Sequence, residues 1–330
     1  MDKVYLFPWE PIQAHAKSIL LGGGSPEAEA ELVSQRLVKA NLTGHDSHGL
    51  IRLTQYMERV RDGSYNAGAQ TTLLKDSGTM AVYSGNWGFG QPHATEAMRQ
   101  AIGKAKEHMV SAVSVTNLGH IGRLADYACM AADEGMIGLV FTATGGMSFL
   151  VAPFGGAKRS MSTNPMAVAF PSDRAYPVVM DFATSNFAEG KFRVMRDANI
   201  QTPANVLINK QGEPSRDPND LYDGGAILPL GGAQGYKGYM LNFMMEVLGG
   251  LLSGGGFMGW KENPPFNNCS LMVVLNVTAF RELPTFKAEL EQLIAYLKDT
   301  PPLGEKKVLY PGEKEEMTEE KRRKEGFPLA

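Results

Sequence analysis

Apolar residues recur at helical spacing early in the chain: Leu32, Val33, Leu37, Val38 and Leu42 share a face. Ser25-Pro26-Glu27-Ala28-Glu29 precedes them. Serine caps free backbone N–H groups, proline fits a first turn, and acids suit the positive helix end. A helix is therefore predicted from Ser25, ending at Gly44. A second is predicted from about Gly49 to Arg61, with Leu50, Leu53, Met57 and Val60 on one side and Gly63 as its stop. The first 70 residues or so read as a small helical unit.

The pattern then switches to short apolar runs alternating with helical segments. Strands are predicted at Thr79–Tyr83, Val110–Val115, Ile137–Thr142, Met166–Phe170, Val178–Asp181 and Ser270–Val277. Helices are predicted at Glu96–His108, Arg123–Glu134 and Phe286–Lys298, with a long buried helix at Gly238–Leu252 and a loop at Gly85–Gly90. This alternation gives an α/β (α+β) domain from about 75 to 295. Glu313 to Lys324 is almost all charged, with opposite charges spaced for a solvated helix, a better reading of Lys321-Arg322-Arg323-Lys324 than a nucleic-acid patch.

Composition narrows the function classes. The 330 residues are 43% hydrophobic and 20% charged, which suits a packed core of about two domains rather than disorder. A net charge of -3 argues against a dedicated nucleic-acid binder. Mean hydropathy is -0.19, and no run of 18 apolar residues marks a membrane span. The opening Met1-Asp2-Lys3-Val4-Tyr5 segment lacks secretory-leader architecture, and two cysteines, Cys129 and Cys269, make no disulfide framework. A cytoplasmic enzyme is the expectation.

Several familiar motifs fail. Gly85-x-x-Gly88-x-Gly90 tempts a dinucleotide fingerprint, but His93 stands where the third small residue belongs. Gly235-Tyr236-Lys237-Gly238 is not a phosphate-binding loop, and no serine-hydrolase elbow appears. His45 and His48 lack an evident third ligand, so no metal is expected.

Ser47, His48, Arg52 and Tyr56 are the most informative cluster. Positions 48, 52 and 56 share a face if all are helical. Histidine passes protons near neutrality, and arginine grips a carboxylate in bidentate fashion. The same residues also suit an ordinary surface helix capped by Ser47. His120 follows a strand and is flanked by Gly119 and Gly122, where ligands gather in α/β proteins, although a loop histidine is often structural. Ser162-Thr163-Asn164-Pro165 and Val179 to Ser185 are polar turns against apolar strands, and their spacing alone identifies no nucleotide.

Taken in order, His45-Asp-Ser-His-Gly49, Asn117-x-Gly-His-Ile-Gly-Arg123, Ala152-Pro-Phe-Gly-Gly156, Ser162-Thr-Asn-Pro165, Asp181-Phe-Ala-Thr-Ser185, Lys237-Gly-Tyr239 and Pro311-Gly-Glu313 carry a further signal. The chain resembles the malate/L-lactate dehydrogenase type 2 family from about residue 10 to 328. The resemblance implies a non-Rossmann NAD(P)-binding α/β domain at 75–295 and a smaller helical domain at 1–74 joined by 296–330, assembled as a homodimer. It implies reversible reduction of a 2-oxo acid to a 2-hydroxy acid with NAD, NADP being the alternative. Related outcomes are a cyclic imine carboxylate, ureido acid or sugar acid as substrate. A metal-dependent hydrolase on His45 and His48, or an inactive binding module, stands as the contrast.

Carried onto matching positions, the resemblance makes His48 and His120 catalytic candidates and puts Ser47, Arg52 and Tyr56 on the substrate side. Cofactor contacts would come from His48, Gly122, Arg123, Leu124, Asn164, Val179, Met180, Asp181, Phe182, Ala183, Asn268, Gly312, Glu313, Lys314 and Glu315. Tyr236 and Lys237 also fall on cofactor positions, Tyr236 replacing a histidine. Two departures stand out: the family continues with another helix where this chain reaches Ala330, and Phe141 to Gly146, expected near the adenosine, lacks an acid for the ribose.

Overall fold

A computed structural model describes residues 5–146, 148–260 and 266–329. The residues outside these ranges include the first four of the opening segment and Ala330. The helical unit comprises α1 (Trp9–Gly22), α2 (Glu27–Leu42) and α3 (Ile51–Arg61). They bury Leu20, Ala30, Val33, Leu37, Tyr56, Tyr65 and Phe89 together. Sequence periodicity missed α1, whose proline at position 11 reads as a break but sits harmlessly in a first turn. Pro26, not Ser25, occupies the cap position of α2, and no side chain caps that end.

The central sheet has seven strands: β1 (Thr72–Asp76), β2 (Met80–Gly88), β3 (Val110–Leu118), β4 (Met136–Gly146), β5 (Met166–Phe170), β6 (Val178–Phe182) and β7 (Phe266–Asn276). Their spatial order is β1-β2-β3-β7-β4-β5-β6. β2 and β3 run parallel and the other neighbours antiparallel. Alternation along β7 sorts the core by period two. Met272 and Val274 face a cluster with α4 (Gly90–His108) and α5 (Ala125–Asp133). Leu271 and Val273 face a second cluster with Met244, Met245 and Leu248.

That second layer corrects the predicted buried helix. α7 (Gly235–Met245) passes into a π-helical stretch at Glu246–Leu251. Gly249 lets this stretch lie on β4, since a Cβ there would sit 2.7 Å from the Ala143 amide nitrogen. The opposite side is exposed at Met240, Phe243, Leu251 and Leu252. The predicted Gly85–Gly90 loop is also corrected: β2 runs to Gly88 and α4 starts at Gly90, six residues before Glu96. His93 explains these glycines, because side chains at Gly85 or Gly88 would collide with its ring.

α6 (Glu189–Asp197), a short helix at Asn219–Tyr222 and a three-stranded sheet at 207–208, 214–215 and 226–227 form a layer that the strand and helix patterns did not predict. After α8 (Leu283–Lys298), the charged segment forms α9 (Glu313–Glu325). This helix is not wholly solvated: Glu319 is buried and pairs with Lys39 at 2.5 Å. Beyond it, Phe327–Pro328 pairs with Leu6–Phe7, and Phe327 packs against Val38 and Leu42.

Candidate active site

The turn between α2 and α3 is a single 3-10 turn, Asp46–His48. His48 therefore precedes α3, and the common helical face expected for positions 48, 52 and 56 does not form. The residues converge by tertiary contact instead. Ser47 Oγ lies 3.0 Å from His48 Nδ1, and Arg52 Nε donates to the Ser47 carbonyl at 2.7 Å. The His48 and His120 rings stack with centroids 5.4 Å apart. Tyr56 Oη lies 2.7 Å from His120 Nδ1 and accepts from Gln91 Nε2 at 2.9 Å. Gly90 allows this: a Cβ there would collide with the backbone of Gly119 and His120.

Two cavities adjoin along this turn. The first, about 390 Å³, is lined by Ser47, His48, Arg52, His120 and Asn268, with Arg59, Arg159, Glu189 and Arg193 along its walls. The second, about 460 Å³, is lined by His45, Gly122, Arg123, Leu124, Asp181, Phe182, Ala183, Lys191, Lys314 and Glu315. Ser47, His48, Gly122 and Leu124 border both. Burial and the nearby Arg52 charge push the His48 pKa down to about 3, and the same causes hold His120 well below the usual histidine range. Both rings are therefore held neutral at pH 7.

Further contacts fix the predicted residues in and behind these walls. Asn268 accepts from the Ile121 amide at 3.1 Å and donates to Thr144 at 3.1 Å. Asn164 is buried, bonded to the Thr144 amide, Asn242 and Glu246. Arg123 pairs with Asp126 at 2.6 Å and reaches Tyr176. Asp181 accepts the Ala125 amide at 2.8 Å, filling the N-terminus of α5, and burial raises its pKa. Val179 and Met180 lie in β6, and the Val179 amide donates to the Pro311 carbonyl at 3.1 Å. Gly312, at φ +98°, starts α9, and Glu313 bonds the Tyr310 amide at 3.0 Å. Tyr236 and Lys237 are exposed at the start of α7 and line neither cavity. Thr142 and Thr144 line the first cavity, not the second.

Glu189, Arg193 and Arg159 were missed by sequence reasoning. Glu189 lies 3.8 Å from Arg52 and 3.0 Å from Arg193. The basic residues of α6, Lys191, Arg193 and Arg196, were the available signal. Among the described residues, no three His, Cys, Asp or Glu side chains group as metal ligands.

The sequence pattern of malate/L-lactate dehydrogenase matches residues 7–330. The chain belongs to the malate/L-lactate dehydrogenase family. Within this family it is 34% identical to the malate dehydrogenase of Pyrococcus abyssi, over all of this chain and 92% of that one. It is 33% identical to the hydroxycarboxylate dehydrogenase B of Escherichia coli K12, over all of this chain and 91% of that one. The crystal structure of malate dehydrogenase from Entamoeba histolytica superposes with a TM-score of 0.93 at 32% identity, covering 99% of this chain and 94% of that one. The malate/L-lactate dehydrogenase fold thus extends over the helical unit, the seven-stranded sheet and α9.

Proposed function

We propose that this protein is an NAD(P)-dependent 2-hydroxycarboxylate dehydrogenase, interconverting a 2-hydroxy acid and a 2-oxo acid. The observation that carries the reading is the position of His48 on the shared wall of two cavities, one holding Arg52. Names of relatives such as malate dehydrogenase, L-lactate dehydrogenase and L-sulfolactate dehydrogenase agree with this class.

The second cavity suits a nicotinamide nucleotide by its donor chemistry. Lys191, Lys314 and His45 offer cationic or hydrogen-bonding groups to phosphates, beside apolar Leu124, Pro165, Phe182 and Leu230. The helix terminus that a Rossmann protein gives to pyrophosphate is here filled by Asp181 at the Ala125 amide, which supports a non-Rossmann mode of binding. The bound nucleotide supplies hydride acceptance and donation.

This chain's residues do the rest. Arg52, its Nε fixed on the Ser47 carbonyl, holds the substrate carboxylate in the first cavity. A neutral His48 or His120 accepts the hydroxyl proton in oxidation, and the protonated ring returns it in reduction. The incoming carboxylate offsets the Arg52 charge that depresses both histidines and so favours the protonated form. The exposed apolar side of α7 and its π-helical extension supports a homodimer.

The test follows nicotinamide absorbance with NADH and NADPH against pyruvate, oxaloacetate and phenylpyruvate, beside direct titration of each nucleotide. Turnover of any member upholds the class. Binding without turnover favours imine, ureido or sugar-acid substrates, and failure to bind either nucleotide sinks the reading.

A further inference from the structure

Glu246 is a buried carboxylate that the dehydrogenase chemistry leaves unused, and it lines neither cavity. It stands where α7 passes into its π-helical stretch, and π turns are rare and gather at functional sites. Its oxygens meet two neutral donors. Asn164 Nδ2 lies 2.7 Å from Oε1, and the Met258 amide nitrogen 3.2 Å from Oε2. Among the described residues no lysine or arginine pairs with it, and burial raises its pKa against the pull of these donors. Such a charge is costly to bury, and packing alone does not call for it. Two donors need two acceptors, which a carboxylate supplies and a glutamine amide does not.

From Glu246 a series of hydrogen bonds leads to the site. Asn164 is fully buried and holds φ +28°, in the left-handed region that residues other than glycine seldom enter. Its Nδ2 also donates to Asn242 Oδ1 at 2.8 Å, and its Oδ1 accepts the Thr144 amide at 3.1 Å. Turned over, this amide would set its oxygen against the Glu246 carboxylate, so Glu246 fixes which way it points. Asn242 donates in turn to the Ser162 carbonyl at 2.8 Å. Thr144 Oγ1 accepts from Asn268 Nδ2, and Asn268 Oδ1 accepts the Ile121 amide, each at 3.1 Å. Ile121 follows His120, whose own amide donates to Tyr65 Oη at 2.7 Å. The series Ile121, Asn268, Thr144, Asn164, Glu246 thus ends on a carboxylate, and linked hydrogen bonds of this kind strengthen one another. Its side branch reaches the 162–165 turn, where Thr163 and Pro165 border both cavities.

We propose that Glu246 is a positioning residue: through Asn164, Thr144 and Asn268 it fixes the loop that carries His120, and through Asn164 and Asn242 the turn that borders both cavities. The inference rests on the dehydrogenase reading for its kinetics, while the setting of His120 can be read without turnover. Glu246 touches neither substrate nor nucleotide in this account. It sets the register of the wall from behind.

The experiment uses the full chain carrying Glu246→Gln, which keeps the size of the side chain and leaves one of the two donors unmet. It reads kcat and both KM values with an acid that turns over, and the NMR signal of the His120 ring, assigned by its absence in His120→Gln. The signals of exposed His15 and His108 serve as references. The expected result is kcat lowered about tenfold, each KM changed less than about threefold, and a shifted His120 signal beside unmoved references. Glu246→Asp, which keeps two acceptors on a shorter stem, should retain part of kcat, and it carries the comparison if Glu246→Gln does not fold. Glu289→Gln, an exposed carboxylate on α8, should change nothing. Lost stability with kcat and the His120 signal both as in wild type overturns the proposal and leaves Glu246 a packing residue. A kcat loss with an unmoved signal, a shifted signal with unchanged kcat, or an effect confined to the KM of the nucleotide overturns it as well. If the wild type neither binds a nucleotide nor turns over an acid, the dehydrogenase reading falls and the signal decides alone: a shift upholds the positioning, and no shift overturns it.

Discussion

Arg322 and Asp46 meet in a two-pronged ion pair, Nη1 lying 2.6 Å from Oδ1 and Nη2 3.0 Å from Oδ2. Arg322 belongs to α9, and Asp46 stands two residues before His48. Asn41 joins them, donating to Asp46 Oδ1 at 2.7 Å and accepting the Leu50 amide at 2.8 Å. This clamp brackets the turn bearing Ser47 and His48 without lining the first cavity. Arg322→Gln should lower stability by about 1 kcal/mol, as expected for a partly solvated bidentate pair. It should lower kcat/KM by about tenfold, and Arg322→Lys should recover part of that. Adding Asp46→Asn should cost little more, because the two changes remove one interaction. A variant that loses stability yet keeps wild-type kcat/KM would show that the clamp does not position the turn.

The depressed histidines set a pH signature. His48 titrates at about 3 in the fold, below the ordinary value near 6.5, through burial and the Arg52 charge. A group lowered on folding favours the neutral form, so its stability contribution is complete above about pH 6.5 and is lost as pH falls towards the folded value. Each such histidine steepens the loss by at most about 1.4 kcal/mol per pH unit. Urea unfolding at pH 7, 6 and 5 should therefore show a steeper decline in the wild type than in His48→Gln,His120→Gln. The same sign appears in kinetics. For oxidation, kcat/KM should show no acid limb near pH 6.5, because the free enzyme keeps its base neutral. For reduction it should rise as pH falls from 8 to 6, since protonated histidine is scarce. A bell centred on pH 6.5 in both directions would contradict the assignment.

Tyr56 links the helical unit to His120. Its oxygen accepts from Gln91 at 2.9 Å and lies 2.7 Å from His120 Nδ1, so that it ties the His120 ring to the core. Tyr56→Phe should cost about 1–3 kcal/mol by stranding the Gln91 amide in the core. It should also lower kcat roughly tenfold with little change in KM, as expected when a proton-transfer group loses its orientation. Adding Gln91→Leu should restore stability but not kcat. Recovery of both would reduce Tyr56 to a packing role.

Much of this frame was legible in the residues. Predicted and observed bounds coincide for Met166–Phe170, and the β-branched run at 270–277 foretold most of β7. The extension of β7 to Phe266 comes from pairing with the Ala143 to Gly146 stretch of β4, a long-range fact that no local pattern carries. The apolar run at 238–252 could not reveal that one side would be left open, because an all-apolar helix has no polar face to mark solvent. At the site, Ser47, His48, Arg52 and His120 were legible, but the four-residue spacing misled: His48 joins the cluster from a 3-10 turn. Arg159, Glu189 and Arg193 come from segments over 100 residues away in sequence from Arg52 and meet it only once α6 packs down on the turn.

That packing depends on Gly190. A side chain there would collide with Ser47 Cβ and approach its Cα to 3.2 Å, so only glycine lets the first turn of α6 rest on the turn bearing Ser47 and His48. Glycine is otherwise a poor helix residue, costing about 1 kcal/mol against alanine. Gly190→Ala should therefore gain helix propensity and lose fit. Because Glu189 precedes it and meets Arg52, Arg193 and Tyr222, displacing α6 disturbs both the proposed carboxylate grip of Arg52 and the histidine turn. The expected outcome is a soluble protein with Tm within a few degrees of wild type, KM for the acid raised and kcat/KM lowered by tenfold or more. Gly22→Ala, where a Cβ meets nothing within 4 Å, is the matched control and should leave kcat/KM unchanged. Equal kinetics in the two variants would mean that α6 can shift without carrying Glu189 away from Arg52, and that the wall of the first cavity is set elsewhere.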